Sequence, residues 1–455
     1  MKAYEKYKKS MIPWVDKIPS HWELVRNGGL FNYHQDKVGE YYDQYELLSL
    51  STQGIRSKSI EDVKGKVPAS YEGYQKVNNG DMVFCLFDLD CSAVFAGLSE
   101  KQGMITSAYD VVTPKVQITN PQYLNYWFSA VFAGRHYKIY AKSVRYTINY
   151  DVFKAIMTPV PPREEQDQIV RYLDWQISRI NHLIHGYQKQ IKLLEERKIT
   201  LIDNAVTKGI NPDTPMQNIS GCWMGSVPAH WRMIPSKRIF VEGKERRREG
   251  DVSATASQKY GIISQEEYMR RENRRIVVAN QGLDDWKHVE PGNFVISLRS
   301  FQGGIELCEI TGCVTWHYIV LLPQDMVCTQ YFKWLLKSKS YIKALQGTSE
   351  FIRDGQDLRY SNFVKVDLPL IPLDEQKAIA EYITAEVAKI DNALPTFQKE
   401  IELLREYRTR LISDVVTGQI DVRDVVIPEY TPEEDTEIDI DDTGEDMEEV
   451  AEDAE

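Results

Sequence analysis

The residues best suited to chemistry in this chain fall into a few groups, and most of them are met twice. Asn120-Pro121-Gln122-Tyr123 is the type of tetrad that can hold the exocyclic amine of a flipped base, with the Asn amide binding and the ring stacking. The second copy of that stretch reads Cys328-Thr329-Gln330-Tyr331, and an Asn-Pro pair also begins ordinary helices. His21-Trp22 and His230-Trp231 recur at one spacing, which suits a latch packing an N-terminal segment better than a reactive pair. Cys85, Cys91, Cys222, Cys308, Cys313 and Cys328 form no Cys-x-x-Cys pair and read as free thiols rather than metal ligands. Neither a phosphate-binding Gly-Lys loop nor a His-Glu-x-x-His zinc motif occurs.

The remaining chemistry is cationic. From Arg232 to Arg275 there are twelve Lys or Arg against seven Asp or Glu. They include Arg246-Arg247-Arg248, Arg270-Arg271 and Arg274-Arg275. Such residues neutralise phosphates, and Arg also reaches guanine edges with two donors. Candidates at the corresponding place in the first half are Arg56, Lys58, Lys64 and Lys66. A second group precedes each long apolar repeat: Lys142, Arg145 and Tyr146 in the first half, Arg353 and Arg359 in the second, with Arg299 and Gln302 in a third loop. Basic, polar and aromatic residues interleave there, as suits contact with bases and phosphates together. A solvated charge run is the competing reading.

The net charge of −12 hides this. Residues 421–455 carry 17 acidic side chains and one Arg, a net of −16, so the other 420 residues carry +4. An acidic segment this poor in large apolar residues is expected to be disordered. The sequence has neither an apolar signal core nor a plausible membrane span, and a cytoplasmic protein is expected.

The elements that must position these groups are duplicated. Trp14, Pro19, His21, Trp22 and Phe31 return 209 residues later as Trp223, Pro228, His230, Trp231 and Phe240. Gly80 and Gly292 open similar apolar runs; Tyr109 and Tyr123 match Tyr318 and Tyr331. Tyr150, Phe153, Pro162, Glu165 and Gln166 return 210 residues later. Each copy begins with short β-type runs (81–87 and 110–112; 293–298 and 317–322) among aromatic-rich helical stretches. Each then passes through proline and acidic residues into a long heptad pattern. The seam runs through Leu173, Ile177, Ile180, Ile184, Ile191 and Leu194, and again through Ile383, Val387, Ile390, Leu394, Ile401 and Leu404. Lys198 and Arg408 interrupt it at one place. Some forty residues at ~1.5 Å rise give rods of about 60 Å. Pro395 stands where the first copy has His185, which predicts a kink or short break.

This order resembles the specificity subunits of type I restriction-modification systems. The residues carrying the resemblance are Pro161-Pro162-Arg163-Glu164-Glu165-Gln166 and Ile371-Pro372-Leu373-Asp374-Glu375-Gln376 at the helix starts, Ile18 to Trp22 and Val227 to Trp231, and Thr207-Lys208-Gly209-Ile210 at a helix end. It spans residues ~1 to 420 and leaves the acidic tail outside. The resemblance implies two α/β (α+β) globular target recognition domains, each followed by a long α-helix. The helices would pair as an antiparallel coiled coil with pseudo-twofold symmetry. It implies no catalysis in this chain, an asymmetric bipartite double-stranded DNA target, and two methyltransferase subunits docked on the helices. Restriction or motor subunits could join, with S-adenosylmethionine and ATP/Mg on the partner subunits. The expected segments are recognition domains at 1–163 and 211–373, spacer helices at 164–210 and 374–420, and a tail at 421–455. Two other readings stand beside this: a coiled-coil scaffold that never touches DNA, and a stand-alone adenine DNA methyltransferase built on the Asn120 tetrad.

Overall fold

The computed structural model describes residues 2–52, 54–58, 70–141, 145–273, 283–297, 300–348 and 358–433. The chain divides into two compact units, one from residues 1–188 and 398–439, the other centred on residues 189–397. In the first unit, strands β1 (Phe31–His34), β2 (Met82–Phe84), β3 (Ala96–Leu98) and β4 (Asp110–Pro114) form an antiparallel sheet in the order β1-β4-β2-β3. Helix α1 (Pro121–Ala133) follows β4. The sheet buries aromatic residues: Phe84 meets Phe128 of α1 edge to face at 4.8 Å, and Phe153, outside α1, in a tilted contact at 4.7 Å. Asn120 caps α1 by accepting from the Gln122 amide at 2.9 Å, with Pro121 at the first helical position.

Helix α2 (Arg163–Lys208) leads into the second unit. There β5 (Phe240–Gly243), β6 (Phe294–Ile296), β7 (Glu306–Leu307) and β8 (Ile319–Pro323) pair antiparallel in the order β5-β8-β6-β7. This is the same strand order as in the first unit. Phe240 packs edge to face on Phe294 and on Phe332 of α3 (Thr329–Leu335). The long helix α4 (Leu373–Val416) closes the repeat.

The two long helices pair along the expected seam. Leu173, Ile180, Ile184, Ile191, Ile383, Val387, Ile390 and Ile401 are buried, while Ile177, Leu194, Leu394 and Leu404 are half-buried. The basic interruptions are cross-links. Lys198 Nζ donates to Asp391 Oδ1 at 2.6 Å, and Arg408 Nη1 donates to Asn181 Oδ1 at 2.9 Å. Lys198 and Arg408 are repeat mates, as are Asn181 and Asp391, so one contact is made twice. In each pair an earlier residue on one helix meets a later residue on the other, which fixes an antiparallel pairing. Of the kink or short break expected at Pro395, the break is absent: α4 is continuous from Leu373 to Val416, and Pro395 lies on its exposed side. A proline ring there crowds only the preceding turn's carbonyl, and no packing depends on the lost N–H.

The tail also departs from expectation. Residues 421–433 are not loose but lie along α2. Val422 is fully buried. Gln168 Nε2 donates to the Val422 and Val425 carbonyls at 3.0 and 2.8 Å, and Ser178 Oγ to Thr431 O at 3.2 Å. Asn181 Nδ2 reaches Glu433 O, and His182 and His185 each hold one Glu433 carboxylate oxygen at 2.6 Å. The repeat mates on α4 are Ala378, Ala388, Asp391, Asn392 and Pro395, so the set of side chains that holds this segment on α2 is not repeated on α4. The remaining expected tail, 434–455, lies outside the described residues. The His185 and His182 hydrogen bonds hold the Glu433 carboxyl below its ordinary 4.5. A depressed carboxyl contributes stability above its unfolded value and loses it as pH falls through the lowered one. The carboxylate side of the clasp is therefore fully charged at neutral pH. Glu433→Gln is expected to speed amide exchange over residues 424–433 at pH 7 by about two- to fivefold, the range of a partly exposed ion pair. Unchanged exchange by mass spectrometry would remove the clasp.

Candidate nucleic-acid interface

The repeated motifs are structural latches. Glu165, in the first turn of α2, is buried. Its carboxylate accepts from Tyr4 Oη at 2.7 Å, Trp22 Nε1 at 2.9 Å and His21 Nε2 at 2.7 Å. Glu375 does the same in the second unit, accepting from Trp231 Nε1 at 3.1 Å and His230 Nε2 at 2.7 Å. Gln166 and Gln376 stitch each helix start to its module: each donates to the carbonyl five residues earlier and accepts an amide just ahead of α1 or α3. The glycine after each long helix completes the latch with a left-handed backbone. Gly418, at φ +72°, sits so close to Pro19 that a Cβ would lie 2.3 Å from its Cδ, and Gly209, at φ +77°, faces Trp231 and Pro228.

The Asn120 tetrad is consumed in the same way. Asn120 caps α1 and donates to Asp167 at 2.8 Å, while Tyr123 is fully buried with its hydroxyl on Pro159 O. Neither side chain is available to a base, so the stand-alone methyltransferase reading has no site here.

The cationic candidates separate into several groups. In the first unit Arg145 is exposed and forms a fork to Asp88, at 3.0 and 2.7 Å. Tyr146 has Lys138 Nζ 4.3 Å over its ring. Asp88, Arg135 and Tyr146 all have positive φ, 51°, 51° and 45°. The three lie together: the Asp88 and Leu89 amides donate to Arg145 O and Tyr146 O, and Arg135 Nη1 donates to Ser92 O. Left-handed backbone costs a non-glycine residue about 1–2 kcal/mol, and such strain concentrates at functional loops. No sequence signal marks Asp88, Arg135 or Lys138 as members of this cluster. Arg56 and Lys58 are exposed beside the hairpin strand Gly54–Ser57, apart from any described partner set. Lys64, Lys66 and Lys142 lie outside the described residues.

In the second unit the basic run is largely paired with itself. Arg248 is forked on Glu245 and reaches Glu290; Arg270 and Arg271 both hold Glu267 one turn back. Arg246 is exposed, 3.3 Å from Asp285, and Arg247 is half-buried with its amide on Trp286 O. Gln302 and Arg359 are exposed. Arg274, Arg275, Arg299 and Arg353 lie outside the described residues. All six cysteines are free, and no His/Cys/Asp/Glu cluster among the described residues could hold a metal ion. No described helix is long and apolar enough to cross a membrane.

Known proteins with this organisation are found across nearly the whole chain. A putative type I restriction enzyme MjaX specificity subunit from Methanocaldococcus jannaschii is 24% identical, covering 92% of this chain and 97% of the relative. The type I restriction enzyme MjaVIII specificity subunit of the same organism is 23% identical over 90% and 95%. No family model matches. Over nearly its whole length the chain is similar to the specificity subunits of type I restriction-modification systems. A solved structure from work on assembly and conformational transition of a type I system shares the fold, with a TM-score of 0.60 at 14% identity over 89% of this chain. Specificity subunits are the non-catalytic components that recognise a bipartite DNA target within the complex. That role accords with a chain whose motif-like residues are spent on latches.

Proposed function

We propose that this chain is a specificity subunit and reads an asymmetric, gapped duplex through one recognition domain per half-site, at 1–163 and 211–373. The paired helices set the gap and carry two modification subunits. S-adenosylmethionine and ATP/Mg belong to the modification and motor partners, and the complex acts on cytoplasmic DNA. The observation that carries this is the doubled contact Lys198–Asp391 and Arg408–Asn181. A symmetric helix pair suits two copies of one partner, while two modules of one strand order but different loops suit unlike half-sites. Recognition units on a fixed spacer read half-sites at a fixed separation.

The test is to sequence modified adenines in the host with and without this chain. A gapped motif with unlike halves is expected, appearing only when the chain is present. A continuous motif, or modification that persists without the chain, would overturn the reading. Native mass spectrometry of the complex is expected to give two modification subunits per chain.

A further inference from the structure

Each module has a turn that leads from a strand outside the main sheet into that sheet, and the two turns make the same backbone contacts but differ at their tips. In the second unit, strand Gly312–Val314 runs through Thr315-Trp316-His317-Tyr318 into β8, and the Tyr318 amide donates to Thr315 O. In the first unit, strand Gly103–Ile105 runs through Thr106-Ser107-Ala108-Tyr109 into β4, and the Tyr109 amide donates to Thr106 O. Each closing tyrosine's carbonyl takes a side-chain donor from the neighbouring strand: Lys287 Nζ at 2.6 Å on Tyr318 O, Gln75 Nε2 at 2.6 Å on Tyr109 O. Even the isolated bridge beside that donor repeats, Arg246 with Lys287 and Lys37 with Gln75. The backbone is one design; the tips are not.

In the second unit the turn edges an open cleft lined by Glu242, Lys244, Arg246, Asp285, Lys287 and Trp316. Trp316 is 55% exposed and stacks on His317 at 3.4 Å. Lys244 and Arg246 are exposed and loosely held by Glu242 at 3.7 Å and Asp285 at 3.3 Å. The repeat positions in the first unit are Tyr33, Gln35, Lys37, Gln75 and Ser107. One cation there stands against three in the second unit, and a small hydroxyl stands against a large ring. Nothing in packing asks for Trp316, since Ser107 closes the same turn.

We propose that the cleft beside Trp316 is a base-reading subsite, and that Trp316 and its counterpart Ser107 occupy a specificity-determining position in their modules. The occupant is duplex DNA. Lys244 and Arg246 would exchange their carboxylates for phosphate or a guanine edge, and the Trp316 ring would lie on a base edge such as a thymine methyl. The inference rests on the reading that each module takes one half-site.

The experiment uses the assembled modification complex with its own motif as duplex, against an unrelated duplex, over a range of salt. Trp316→Ser installs the residue of the other module, which that turn accepts. It is expected to weaken the cognate duplex by about tenfold or more, the scale of one base contact, leaving the unrelated duplex and the salt slope unchanged. Lys244→Gln is expected to weaken both duplexes and reduce the salt slope by about one. In the Trp316→Ser complex, base changes in one half-site alone should lose part of their cost. The reciprocal Ser107→Trp should alter the other half-site. Cognate binding within about twofold of wild type for Trp316→Ser, or an equal loss on both duplexes, would overturn the inference while leaving half-site reading intact. A wild-type complex with no preference for its motif would overturn both.

Discussion

Replacing Glu165 by alanine is expected to destabilise the first unit by about 3–5 kcal/mol, the range for removing one partner of a buried charged network. The carboxylate is 6% exposed and satisfies three donors, two of them on the buried Tyr4 and Trp22. Each donor left buried without a partner costs about 1–3 kcal/mol. His21 is more than a third exposed and recovers water, so its share is small. Burial, and then the hydrogen bond to Glu165, push the Tyr4 phenol far above its usual range, so it stays a donor at every pH where the fold is studied. Tyr4 also carries Arg423 over its ring at 5.0 Å, so losing Glu165 is expected to loosen both the N-terminal strand and the segment after α4. Glutamine at this position keeps one acceptor and should recover part of the loss. Glu375→Ala should cost less, about 1–2 kcal/mol, because that carboxylate is partly exposed and holds two donors. Denaturant melts give the sizes, and hydrogen exchange over residues 2–26 and 417–423 gives the location. A Glu165→Ala chain as stable as wild type would show that the latch is incidental.

The latch also marks how far the sequence can be read. A repeat of His-Trp at one offset pointed to a latch because a position used twice in unlike modules is tied to what they share. Its receptor, the glutamate 144 residues on from the histidine, was visible only as part of a helix-start motif. The helix seam was legible position by position, because heptad spacing is a direct consequence of helix geometry. The meaning of Lys198 and Arg408 was not, since a cation in a seam is explained only by its partner across the pair.

Other features depend on contacts between distant parts of the chain. Residues 421–433 read as unfolded by composition, yet they are held by side chains of α2 that look like ordinary surface residues. The arginine runs of the second unit read as a phosphate surface, but Glu245, Glu267 and Glu290 take up much of that charge. Charge counting along a sequence cannot see which carboxylate folds back. Pro395 signalled a break, and an exposed position in a long, well-packed helix absorbed it.

The first unit's strained loop cluster leads to the second large effect. Arg145→Ala is expected to weaken binding of the complex to its cognate duplex by about 10- to 100-fold, the loss of one bidentate base contact. The free protein holds the Arg145 guanidinium in a planar fork on Asp88, and that fork keeps the Asp88 carboxyl below its usual range. The same planar donor pair fits guanine O6 and N7, so DNA is expected to displace Asp88 from this fork, with Asp88 as its placeholder. The backbone supports this geometry at a cost: Asp88 and Tyr146 are both left-handed, and the Asp88 amide is tied to Arg145 O. A placeholder makes the two partners behave oppositely. Asp88→Asn, a residue that tolerates left-handed backbone, should leave a cation uncompensated. It is expected to raise affinity for unrelated duplex by about two- to fivefold and steepen the salt slope by about one. A merely structural ion pair would instead make both substitutions weaken binding together and lower the melting temperature alike. Binding isotherms on cognate and unrelated duplexes at two salt concentrations separate these cases, and two losses of the same sign would exclude the exchange of Asp88 for DNA.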